Sequence, residues 1–137
     1  ITTKNMFSKK KKEVNEEYFK EGVVSVDEGD VELAAESQEE VADKIINSGM
    51  LKKYTEIGKL MYAMLNDYRK GIYKDIPWFT IAAIAFSFLY ILNPLDVVPD
   101  FIPGLGYIDD FAIITFAIRF IESDIHKYLD YKLEETK

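Results

Sequence analysis

The chain has 137 residues, 48% of them hydrophobic and 14% aromatic, too apolar as a whole for a disordered protein and long enough for one domain with a real core. It has no cysteine, which excludes a disulfide scaffold, a thiolate metal site and a cysteine nucleophile. The net charge of −7 is laid down in blocks, +5 over residues 1–12, −11 over 13–43, +5 over 44–74, −5 over 75–118 and −1 over 119–137, a pattern of separate environments rather than one evenly solvated surface.

In chain order, residues 1–36 read as a charged, largely disordered arm, rich in like charge and without sustained periodicity. Lys9–Lys12 is a solvated tail on one reading. On another it is attracted to anionic lipid, worth about 1 kcal/mol per basic residue. Nucleic acid is not an expected partner, because the adjoining acidic block repels phosphate. No apolar segment closely follows the N-terminus, so no cleavable signal is expected.

Residues 37–137 read as the helical domain. Ser37 and Glu40 have the spacing of a capping box that opens a short helix with Val41, Ile45 and Ile46 as its stripe, stopped at Asn47-Ser48-Gly49. A longer amphipathic helix is expected over about 51–73. Tyr54, Ile57, Leu60 or Met61, Met64 or Leu65, and Tyr68 mark its apolar face, and lysines and Arg69 occupy much of the rest. Ile76–Leu95 then runs for twenty residues without a charge. Asp75 is the candidate cap, Pro77 suits a first turn, and Asn93-Pro94 ends the helix. About sixteen helical residues span near 24 Å, slightly short for a bilayer core of about 30 Å. A helix apolar around its circumference is either a membrane span or the centre of a soluble core. The last helix should begin at Asp109 or Asp110, run through a continuous apolar stretch to Arg119, and continue as a stripe of Ile118, Ile121, Ile125 and Tyr128 or Leu129. Aromatics stand at both edges of the apolar pair, Tyr68, Tyr73 and Trp78 on one side and Tyr90, Phe101 and Tyr107 on the other, in the manner of interfacial belts.

The expected fold is therefore all-α: a small bundle built on a helical hairpin, about residues 76–92 and 109–131, preceded by one short and one long amphipathic helix. The connector between the hairpin helices holds Asn93, Pro94, Asp96, Pro99, Asp100, Pro103, Gly104, Gly106, Asp109 and Asp110 and no basic residue. Three accounts fit it. In the first, Asn93, Asp100 and Asp109 cap short turns and the last helix, Asp96 reaches back, Asp110 favours the helix dipole, and the glycines permit positive φ; each cap is worth about 1 kcal/mol. In the second, Asp96, Asp100, Asp109 and Asp110 converge on Ca²⁺ or Mg²⁺, which take oxygen ligands. In the third, two aspartates form an acid–base pair. No nucleophile, phosphate loop, dinucleotide fingerprint or zinc motif accompanies them, so no catalytic residue is named and a non-enzymatic role is favoured. The lone histidine, His126, reads as a surface residue.

Lys74-Asp75-Ile76-Pro77-Trp78, then Asn93-Pro94-Leu95-Asp96-Val97-Val98-Pro99-Asp100-Phe101-Ile102-Pro103, then Gly104-Leu105-Gly106-Tyr107-Ile108-Asp109-Asp110, resembles the YkvA-like family (domain of unknown function 1232) over about residues 70–120. The resemblance implies a small helical membrane protein with no established reaction. Members commonly carry Ser where Asn93 stands, and both residues cap helices. With basic residues outside the helix pair, both termini are expected to be cytoplasmic and lipid is the expected partner. The expected role is a membrane-associated helical module that anchors, assembles or regulates partners. The alternatives are a soluble cytoplasmic interaction domain, its apolar helices packed in a bundle or against a second copy, and a metal-dependent enzyme using the aspartate turn.

Overall fold

The computed structural model describes residues 16–49, 51–92 and 110–135. They are all-α, without a strand among them. Helix α1 covers 16–24, α2 Glu28–Glu36, α3 Gln38–Ile46, α4 Thr55–Arg69, α5 Trp78–Leu92 and α6 Asp110–Glu135, with a single 3₁₀ turn at Lys52–Tyr54 ahead of α4.

The first finding corrects the sequence reading. Residues 16–36, expected in a largely disordered arm, form two helices whose apolar side chains enter the core: Tyr18, Phe19 and Val23 from α1, and Val31, Ala34 and Ala35 from α2. The acids of this stretch lie outward. A capping box separates the helices, with the Asp30 amide donating to Asp27 Oδ1 at 2.9 Å and the Asp27 amide to Asp30 Oδ2 at 3.0 Å. The box expected at Ser37 does not form. The Ser37 amide and hydroxyl both donate to the Leu33 carbonyl, so the side chain closes α2, and Ser37 opens α3 only through its carbonyl, which accepts from the Val41 amide at 3.0 Å. Residues 1–15, including Lys9–Lys12, lie outside the described residues.

Helix α3 buries Val41 and Ile45 and leaves Ile46 exposed, ending where Asn47 was expected to stop it. Helix α4 buries Met61, Met64 and Leu65. It ends at Arg69, short of the expected Tyr73, because Gly71 adopts φ +76°. The Gly71 amide donates to the Tyr68 carbonyl at 3.1 Å and the Ile72 amide to the Asp67 carbonyl at 2.9 Å, the two bonds of a Schellman stop.

Helix α5 is the axis of the fold. Every residue from Thr80 to Ile91 is buried, and α2, α3, α4 and α6 all pack on it. Ala82, Ala83 and Ala85 keep its girth small. Its two polar core side chains are satisfied, Ser87 donating to the Ala83 carbonyl and Thr80 to Asp124. Helix α1 completes the wrapping. Phe19 lies edge-on to Phe86 with ring centroids 5.7 Å apart, and stacks on Phe120 of α6, also at 5.7 Å. Gly22 brings the α1 backbone against the Phe86 ring so closely that a Cβ there would sit 2.3 Å from it, which explains a glycine inside a helix. The expected hairpin pair packs together, with Ile113, Ile114, Ala117, Ile121, Ile125 and Tyr128 forming the buried face of α6. From Thr80 to Ile91 the surroundings of α5 are thus protein. Among the described residues, no helix is long and apolar enough to cross a membrane.

Candidate functional site

Most of the connector singled out in the sequence (Asn93, Pro94, Asp96, Pro99, Asp100, Pro103, Gly104, Gly106 and Asp109) lies outside the described residues. Asp110 is described only as the first residue of α6. Among the described residues, no three acidic or histidine side chains come together to hold a metal ion. His126 is an exposed residue of α6 whose ring lies 4.0 Å from Glu122.

The helix that enters this connector is held by a residue that sequence reasoning did not single out. Lys44 of α3 donates from Nζ to the carbonyls of Ile91 at 3.2 Å and Leu92 at 2.6 Å. A cation on the last free carbonyls of α5 satisfies orphan acceptors and complements the helix dipole. A small apolar niche of about 50 Å³ lies between α3 and α4, lined among others by Val41, Ile45, Gly58, Tyr62 and Phe88.

The polar groups gather at the other end of α5. Here the start of α2, the end of α4, the α4–α5 turn and the last part of α6 meet. Asp67 of α4 accepts from the Tyr128 hydroxyl at 2.6 Å and lies 3.3 Å from Lys132 Nζ. Burial, and then the bond to Asp67, push the Tyr128 phenol up to about 12. Desolvation opposes the charge on Lys132, but the Asp67 carboxylate more than compensates and raises it to about 12 as well. Tyr73 packs against both Tyr128 and Tyr131, with centroids at 5.4 and 4.5 Å, and its phenol is also raised, by burial first and then by Asp75. Asp75, the expected cap of α5, instead pairs with Lys127 at 3.0 Å. The first amide bonds of α5 go to the Pro77 carbonyl. These contacts clamp α4 and α6 together; they form a structural joint.

Beside the joint lies an open cleft of about 630 Å³, with Glu28, Val31 and Glu32 of α2 on one wall and Arg69, Lys70, Lys74, Ile76 and Trp78 on the other. Arg69 spans to Glu32 at 3.1 Å. The turn above it exposes large apolar side chains: Ile72 is 57% exposed, Trp78 41% and Phe79 39%. Of the aromatics expected in two interfacial belts, Trp78 stays at the surface, Tyr90 is fully buried, and Phe101 and Tyr107 lie outside the described residues. The belt reading fails at Tyr90, which lies inside the buried stretch Thr80–Ile91 of α5.

Residues 80–116, from α5 through the connector into α6, match the family described as "Protein of unknown function (DUF1232)". The chain is also similar to the "Uncharacterized membrane protein YkvA" of Bacillus subtilis (strain 168), with 36% identity over 73 residues, covering 53% of this chain and 69% of the relative. No solved structure matches the chain.

Proposed function

This chain belongs to the DUF1232 family of proteins of unknown function, and from that premise we propose a non-enzymatic helical module that sits against a membrane from one side and anchors, assembles or regulates partners there. The observation that carries the proposal is the enclosure of α5. Its twelve buried residues meet protein, not lipid, so the membrane behaviour named for the relative calls for a surface contact here instead of a span. Under this proposal the module holds no cofactor, and the aspartates of the connector shape a turn. Its lysines favour the anionic cytoplasmic leaflet, which keeps both termini on that side.

The second reading, a soluble helical interaction domain, draws on the same enclosure: a bundle that satisfies its own apolar helix needs no lipid to fold. Fractionation of cells expressing the full chain separates the two. Surface association predicts recovery with membranes, followed by release of folded protein in high salt or alkaline carbonate without detergent. Retention until detergent is added would mean a span and overturn the proposal. Recovery wholly in the first soluble fraction would favour the interaction domain.

A further inference from the structure

We propose that the α4–α5 turn is the membrane-contacting element, Ile72, Trp78 and Phe79 entering the lipid interface while Lys70 and Lys74 meet anionic headgroups. This deepens the reading of surface association and rests on it. The apolar side chains are not loose. Ile72 follows the Schellman stop at Gly71, and Trp78 and Phe79 form the first turn of α5 behind Pro77, so the backbone presents them in a fixed arrangement. Val24, Leu33, Ile46, Leu129 and Leu133 are exposed elsewhere, but Ile72, Trp78 and Phe79 lie close together in the chain and include two aromatics, the side chains a lipid interface would take up.

Charge supports lipid over a neutral partner. The chain is net −7, yet residues 69–79 carry Arg69, Lys70 and Lys74 against a single acid, Asp75. Lys127 holds Asp75, and Glu32 holds Arg69. Among the described residues, Lys70 and Lys74 have no carboxylate within ion-pair range, although Glu28 lines the opposite wall of the same cleft. Two cations with no ion pair among the described residues, flanking an apolar tip on a negative protein, turn that end toward an anionic surface.

Trp78 is the only tryptophan, so its emission reports directly on this contact. The test uses the full chain with vesicles of phosphatidylcholine alone and mixed with phosphatidylglycerol. The expected result is co-sedimentation with the mixed vesicles, weakened by salt, and a shift of Trp78 emission to shorter wavelength. Ile72→Ser should lower partitioning about tenfold. Lys70→Gln and Lys74→Gln should each lower it about fivefold on mixed vesicles and leave neutral vesicles unaffected. Ile46→Ser, at the opposite end of the bundle and 46% exposed, is the control and should change nothing. All four side chains are exposed, so thermal melts should be unaltered. Vesicle binding with unshifted emission, or equal binding by all variants, would overturn this contact while leaving surface association standing. No binding of the wild-type chain to either vesicle would overturn both.

Discussion

Deletion of residues 1–36 should abolish cooperative folding of the remaining chain. The segment supplies Tyr18, Phe19, Val23, Val26 and Val31 to the core, all at most 8% exposed. At about 1.5–3 kcal/mol for each large side chain withdrawn from water, the loss is on the order of 10 kcal/mol, as large as the whole stability of an ordinary domain. The deletion also strips α1 and α2 from α5, uncovering Phe86 and its neighbours. The truncated protein should therefore aggregate or demand detergent, and so imitate a spanning protein. Circular dichroism melts and size-exclusion chromatography of both lengths provide the check. A truncated chain that stays monomeric with an unchanged melting temperature would return residues 16–36 to the status of an arm.

The second large effect is a loss of stability in alkali centred on Tyr128. Its phenol titrates near 10 in the unfolded chain and is pushed up to about 12 in the fold. The folded state thus holds the proton more tightly, and the stabilisation is complete below about pH 10 and lost as pH rises toward 12. A rise from 10 to about 12 corresponds to about 2–3 kcal/mol, since the ring is 1% exposed. Lys132 is raised in the same sense and its contribution fades in the same window, but its side chain is 42% exposed and solvent screens it. Tyr128→Phe should remove much of this alkaline slope. At neutral pH it should cost about 1–3 kcal/mol, because Asp67 loses its hydroxyl donor. Urea melts of both proteins from neutral pH to about pH 11 measure the two slopes. Identical slopes would remove Tyr128 from the account.

The helical hairpin, the amphipathic α4 and the stop after α3 are legible in the sequence because their periodicity survives without tertiary help. Seventeen uncharged residues, Ile76–Leu92, followed by Asn93-Pro94 leave few alternatives for α5. The first two helices are harder to read. Tyr18, Phe19, Gly22 and Val23, and again Val31, Ala34 and Ala35, recur at helical steps, and Asp27 and Asp30 have the spacing of a cap. Twelve acids across residues 13–43 mask that signal, since net charge marks disorder only where no apolar face is buried, and here α5 offers one. Ser37 shows a second limit. A hydroxyl between two helices can close the first or open the second, and sequence spacing alone does not choose. Side-chain partners set by tertiary approach, Lys44 on the end of α5 and Tyr128 on Asp67, have no local signature at all. For the candidate site, Trp78 is marked by its flanking apolar run, whereas the outward stance of Ile72 follows from the early stop at Gly71.

All of this depends on α5 being sheathed by its own chain. Amide hydrogen exchange on the 137-residue chain, in buffer free of lipid and detergent, reads that sheath residue by residue. The amides of Thr80–Ile91 should be among the slowest in the molecule, opening only with global unfolding. Fast exchange there, or protection that arrives only once detergent or vesicles are added, would show that the helix needs a bilayer after all.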